Sequence, residues 1–129
     1  MYRRILIVED EALLRRVIAR NLRGRGFEVR EAELAHEAIA LAAHEAPDLM
    51  LLDINLPDRT GWDVLRELRH QGLAIPTIIV SAVRVSQSRL DEFRPLAYLP
   101  KPFPLEALLR IVSQAGQGAA ASDTWERMR

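Results

Sequence analysis

The stretch Asp48-Leu49-Met50-Leu51-Leu52-Asp53-Ile54-Asn55-Leu56-Pro57-Asp58 decides the fold. Leu49–Leu52 is a short unbroken apolar run, the pattern of a strand covered on both faces and not of an alternating, half-exposed one. It stops on an acid, Asp53, and runs into a turn-rich segment, Leu56-Pro57-Asp58-Arg59-Thr60-Gly61. Ile5-Leu6-Ile7-Val8, before Glu9-Asp10-Glu11, and Thr77-Ile78-Ile79-Val80, before Ser81, repeat that arrangement. Three buried strands each end on polar side chains.

Helical patterns separate them. Leu14, Ile18 and Leu22 recur every fourth residue until Gly24 and Gly26. Ala35, Ala38, Ile39 and Ala42 form a second stripe, closed by Ala46-Pro47, and Leu65 and Leu68 mark a third that stops near Gly72. Phe27–Glu31 suits a strand nearer an edge, Ala97–Leu99 a short fifth strand, and Leu105, Leu108, Leu109 and Val112 a last helix. Alternating strands and helices imply an α/β fold with a doubly wound parallel sheet. Right-handed crossovers leave few arrangements, and five strands suit the flavodoxin-like order 2-1-3-4-5. Residues 1–115 form one expected domain. From Gly116 periodicity is lost, and residues 116–129 read as a flexible tail.

Bulk numbers narrow the function. The chain has 129 residues, 49% apolar and 28% charged, with 18 basic against 18 acidic side chains and no cysteine. Disulfides and thiolate metal sites are excluded. Zero net charge gives no reason to expect nucleic acid or an anionic membrane as partner. No apolar run spans a bilayer, and the amino-terminal residues carry no secretory pattern, so the expected location is cytoplasmic.

In open parallel sheets ligands sit beyond the carboxyl ends of the strands, where strand order reverses. The residues placed there are Glu9, Asp10, Asp53, Ser81 and Lys101. Three carboxylates crowded beside one ammonium repel one another. A divalent cation resolves the conflict, and hard oxygen donors without histidine or cysteine point to Mg²⁺. Lys101 is the only lysine beside 17 arginines, at a place where a compact point charge is wanted rather than a planar fork.

Residues 3 to 115 resemble the response-regulator receiver family of two-component signalling. The pieces are Ile5 to Glu11, Asp48 to Asp58, Gly61, Pro76 to Ala82, and Tyr98-Leu99-Pro100-Lys101-Pro102-Phe103. Each is weak alone; in order and at compatible spacing they are highly specific. The resemblance implies that Asp53 takes a phosphoryl group from a histidine kinase or histidine phosphotransfer protein, forming an acyl phosphate. Asp10, Asp53 and the Asn55 backbone carbonyl would ligate Mg²⁺, with Glu9 acting through water. Lys101 would neutralise charge, Ser81 would move to bond a phosphoryl oxygen, and Tyr98 would swing inward as the switch. Pro102 would follow a cis peptide bond. Such a chain is a signalling switch that catalyses its own phosphorylation and slow dephosphorylation, not an enzyme acting on others. It would bind a downstream target, either alone or through a phosphorylation-dependent homodimer.

Plainer readings stand beside these. Glu9, Asp10 and Glu11 could be helix-capping acids, Ser81 a turn hydroxyl, and Tyr98 and Phe103 core residues. His36, His44 and His70 read as solvated, and Trp62 as packing at the start of the third helix. Asn55 and Val83 flank the site and would influence phosphoryl lifetime through water access. A phosphohydrolase on this architecture would want a second acid at position 55, and a flavin protein a phosphate-cradling loop after strand one. The chain could also be a docking module that takes no phosphate, or the receiver fragment of a longer regulator.

One stretch departs from the family. Ser81 and Lys101 lie 20 residues apart, about two fewer than the family pattern, with the shortfall around Arg94-Pro95-Leu96. Arg84–Phe93 is weakly periodic and Pro95 disfavours helix at Arg94. The expectation is a short or mobile fourth helix, which leaves the usual dimer or target surface open.

Overall fold

The computed structural model describes residues 3–115. The tail expected over 116–129 lies outside the described residues. Strands β1 (Arg4–Val8), β2 (Glu28–Ala32), β3 (Leu49–Asp53), β4 (Thr77–Ser81) and β5 (Ala97–Pro100) form one parallel sheet in the order β2-β1-β3-β4-β5. Helices α1 (Ala12–Gly24), α2 (Ala35–His44), α3 (Gly61–His70), α4 (Gln87–Phe93) and α5 (Leu105–Ala115) fill the crossovers. The expected fold class and strand order are those observed.

Period-two alternation along the central strands divides the core between the two faces. Ile5, Ile7, Leu49, Leu51, Ile78 and Val80 pack with Ile18 and Leu22 of α1 and Leu108 and Val112 of α5. Leu6, Val8, Met50, Leu52 and Ile79 face the other way. There they meet the alanines of α2, Val64 and Leu68 of α3, and Phe93 of α4. Each fully buried leucine or isoleucine contributes roughly 2 kcal/mol through water removal. With both faces covered, β1, β3 and β4 could only be continuous apolar runs. The edge strand β2 differs: Glu28 and Arg30 are exposed, and Arg4–Glu28 and Arg30–Glu45 ion pairs run along it.

Helix ends are set by side chains near and far. Thr60 accepts from the Asp63 amide at 3.2 Å while Asp63 accepts from the Thr60 amide at 3.1 Å, a reciprocal cap on α3. The cap of α2 comes from another loop: Asp58 accepts from the Ala35 and His36 amides at 2.8 and 3.0 Å and meets the His36 ring at 3.1 Å. Despite some desolvation there, those bonds hold Asp58 well below the usual carboxylate range. His36, expected to be merely solvated, is therefore engaged in an exposed pair.

The fourth helix is short, with seven residues. Arg94 ends it at φ 46°, in the left-handed region normally taken by glycine, and Pro95 blocks its continuation. Side chains tie it to α3. Trp62 stacks on Phe93 at 5.1 Å, Arg69 lies 4.6 Å over the same ring, and Arg69 Nη2 donates to the Glu92 carbonyl at 3.0 Å.

Candidate functional site

Sheet register brings the site together. Val8 pairs with Leu52, Asp53 with Val80, and Ser81 with Pro100, so the residues beyond these strand ends share one level. One carboxylate oxygen each from Glu9, Asp10 and Asp53 lies within 4.8 Å of the others. Lys101, carried in by β5, places Nζ 3.0 Å from Asp53 Oδ2, 2.7 Å from Glu9 Oε1 and 3.3 Å from Glu11 Oε1. Its backbone amide donates to the Ser81 carbonyl at 2.8 Å, which anchors the start of the β5–α5 loop. The Lys101–Pro102 peptide bond is cis.

Burial is uneven. Glu9 is 2% exposed and Asp53 3%, whereas Asp10 lies at the surface. Glu9 Oε2 accepts from the Glu11 amide at 3.1 Å, and Asp53 Oδ1 from the Asn55 amide at 3.0 Å. Glu9 Oε1 is in ion-pair contact with Lys101 but has no aligned hydrogen-bond donor. Burial, chiefly, pushes the Glu9 carboxyl up to about 7 against the pull of Lys101 and the Glu11 amide. Burial alone would lower Lys101, but its ion pairs with Glu9 and Asp53 outweigh that and raise it above its ordinary value. The carboxylates of Glu9, Asp10, Glu11 and Asp53 share one ammonium, so the site is short of positive charge. A buried, under-satisfied carboxylate oxygen in an all-oxygen cluster is what a hard divalent cation with bound water suits. The residues present fit Mg²⁺.

The loop after Asp53 is built tightly. Gly61 N donates to the Ile54 carbonyl at 2.8 Å, and Asn55 bridges Thr60. A Cβ on Gly61 would stand 2.7 Å from the Asp53 carbonyl oxygen, so only glycine lets α3 begin this close to the strand.

The expected residues do not all converge. Glu9, Asp10, Asp53 and Lys101 do. Ser81 is fully buried and its hydroxyl is turned into its own loop, bonded to the Val83 carbonyl and amide at 2.9 and 3.1 Å. Tyr98 is half-buried and packs on the α2/α3 side of the sheet. None of the three acids caps α1 with its side chain; Glu9 takes the Glu11 amide, which precedes the helix. Glu11 occupies the cap position without a side-chain cap bond and reaches Lys101 instead. Arg15 escaped the sequence reading altogether. A basic residue in phase with Ile18 and Leu22 on the apolar stripe of α1 was the available signal.

Comparison with known proteins agrees with this geometry. The model of the response regulator receiver domain matches residues 5–113. The chain is 38% identical over 124 residues to the KDP operon transcriptional regulatory protein KdpE of Escherichia coli, covering 92% of this chain and 55% of KdpE. It is 38% identical over 116 residues to the transcriptional regulatory protein PdtaR of Mycobacterium tuberculosis, covering 88% of this chain and 56% of that protein. The chain thus spans about half the length of the curated relatives it matches. The response regulator TrrA of Thermotoga maritima, solved in complex with Mg²⁺ and BeF, superposes with a TM-score of 0.75 at 30% identity, covering 86% of this chain and 96% of that one. By family match, fold and acid cluster together, the chain belongs to the response regulator receiver domains of two-component signalling.

Proposed function

We propose that this receiver is a Mg²⁺-dependent switch with Asp53 as its phosphoacceptor. The observation that carries the reading is the Lys101 ammonium 3.0 Å from Asp53 Oδ2, inside a cluster that also holds Glu9 and Asp10. Asp10, Asp53 and the Asn55 backbone carbonyl would hold the ion, and Glu9 would reach it through water. Bound there, Mg²⁺ would neutralise charge on the transferring phosphoryl group. An Asp53 carboxylate oxygen attacks phosphorus, the P–N bond to the donor histidine breaks, and the electron pair stays on the imidazole nitrogen. Lys101 balances charge on the acceptor side throughout. Ser81 is proposed to leave Val83 for a phosphoryl oxygen, and Tyr98 to follow by turning inward.

The phosphodonor is a histidine kinase or histidine phosphotransfer protein. Exposed Leu13 and Val17 on α1 and Val83 after β4 supply apolar contacts for it beside the acids. The downstream target, or a phosphorylation-dependent homodimer, would read the α4–β5–α5 face. A cytoplasmic site of action belongs to the same reading; no described helix is long and apolar enough to cross a membrane.

Intact mass after incubation with acetyl phosphate tests the reading. One phosphoryl group should add with Mg²⁺, none with chelator, and none to Asp53→Asn. Addition that persists in Asp53→Asn would move the acceptor elsewhere. No addition under any condition, with a kinase included, would leave a phosphate-independent docking module.

A further inference from the structure

We propose that Arg15 is a positioning residue for the acid-bearing loop between β1 and α1, acting on the metal site through the main chain. Arg15 is 6% exposed, on the face of α1 that also buries Ile18, Ala19 and Leu22. A leucine would fill such a place without the several kcal/mol that desolvating a cation costs before it is paired. Its guanidinium therefore requires a reason, and its contacts supply one.

Nη1 donates to the Glu9 carbonyl oxygen at 3.0 Å. That carbonyl belongs to the peptide joining Glu9 to Asp10. Nε donates to Glu31 Oε1 at 3.1 Å, and Nη2 lies 3.5 Å from Glu33 Oε1. The other side of Glu9 is tied as well, its amide donating to the Ala32 carbonyl at 3.0 Å. Arg15 and Ala32 thus bracket the Glu9 backbone from α1 and β2. Among the described residues no hydrogen bond or ion pair fixes the Asp10 carboxylate itself. Its direction depends on the backbone that Arg15 holds. A planar fork reaches the carbonyl and two carboxylates at once, whereas an ammonium could not span them.

This rests on the reading of Glu9, Asp10 and Asp53 as a cation site, and the test separates the two. MgCl₂ is titrated calorimetrically into the native chain, Arg15→Gln, Arg15→Lys and Arg16→Gln, each checked for native circular dichroism. The sign is diagnostic. If Arg15 contributed only its charge, Arg15→Gln would bind Mg²⁺ more tightly, because a repelling cation is gone. Positioning predicts the opposite: weaker binding by roughly 10-fold or more in Arg15→Gln, the scale for groups that orient metal ligands. Arg15→Lys should lose most of the same factor despite its charge. The exposed Arg16→Gln should bind as the native chain does. Unchanged or tighter binding by folded Arg15→Gln overturns the proposal and leaves the cation site standing. A native chain that binds no Mg²⁺ removes both. Should Arg15→Gln not fold, Arg15→Lys and Glu33→Gln decide in the same way, native affinity in both overturning it.

Discussion

The carboxyl ends of β1, β3 and β5 and the short helix α4 lie on the same sheet and are held by different means. At the strand ends, sheet register, a required glycine and a buried ion cluster each constrain the same few atoms. Around α4, seven residues depend on one aromatic stack, arginines over Phe93 and a left-handed arginine. Changes in the first region should cost the chemistry proposed for it. The second should tolerate change in stability while the chemistry continues.

Removal of Lys101 should break the first region most severely. Lys101→Met leaves Glu9 and Asp53 buried without counter-charge. Phosphoryl addition should slow about 100-fold or more, the scale for losing one preorganised charge. Metal-free stability at pH 8 should fall by about 2–3 kcal/mol in urea unfolding, with recovery as Mg²⁺ is added. Gly61→Ala comes next. Its Cβ would press on the Asp53 carbonyl, costing about 1–3 kcal/mol and slowing addition through a displaced acceptor. Normal stability and rate in that variant would show the contact to be slack.

Glu9→Gln tests the electrostatics with a sign. Glu9 keeps its proton to about pH 7 in the fold, against 4.5 as its ordinary value. Metal-free stability from this group is full below 4.5 and lost as pH rises through about 7. The amide should remove that slope and gain about 1–2 kcal/mol at pH 8, discounted for the coupling to Lys101, while weakening Mg²⁺ binding. A stability profile equally steep in both chains would place the titration elsewhere. The smallest effect belongs to the second region. Arg94→Gly relieves a positive φ and should stabilise by up to about 1 kcal/mol with the phosphorylation rate unchanged. A changed rate would mean that α4 and the acceptor are coupled more closely than their contacts indicate.

Sequence patterning made the sheet legible because Leu49–Leu52 and Thr77–Val80 are covered on both faces, and only continuous apolar runs serve there. The shortened α4 could be read from Pro95 and the tight spacing to Lys101. The cap on α2 could not: Leu34 at its start has no side-chain acceptor, and Asp58 arrives from 23 residues away. The place of Arg15 on the apolar stripe of α1 was legible, but its bond to the Glu9 carbonyl was not, since a side chain bonding a main-chain group six residues back leaves no periodicity. The resting bonds of Ser81 to Val83 likewise belong to the geometry of one turn.

The charged edge strand β2 bears on how the molecule behaves in a crowd. At zero net charge the chain has little overall repulsion to keep its copies apart. A strand arriving from another molecule to extend the sheet beside β2 would have to strip water from Glu28 and Arg30 and disturb their pairs with Arg4 and Glu45. At the opposite edge, β5 offers four residues and ends on a proline. Resistance to aggregation is thus built into the rims of the sheet, where an overall excess of charge would otherwise have to provide it.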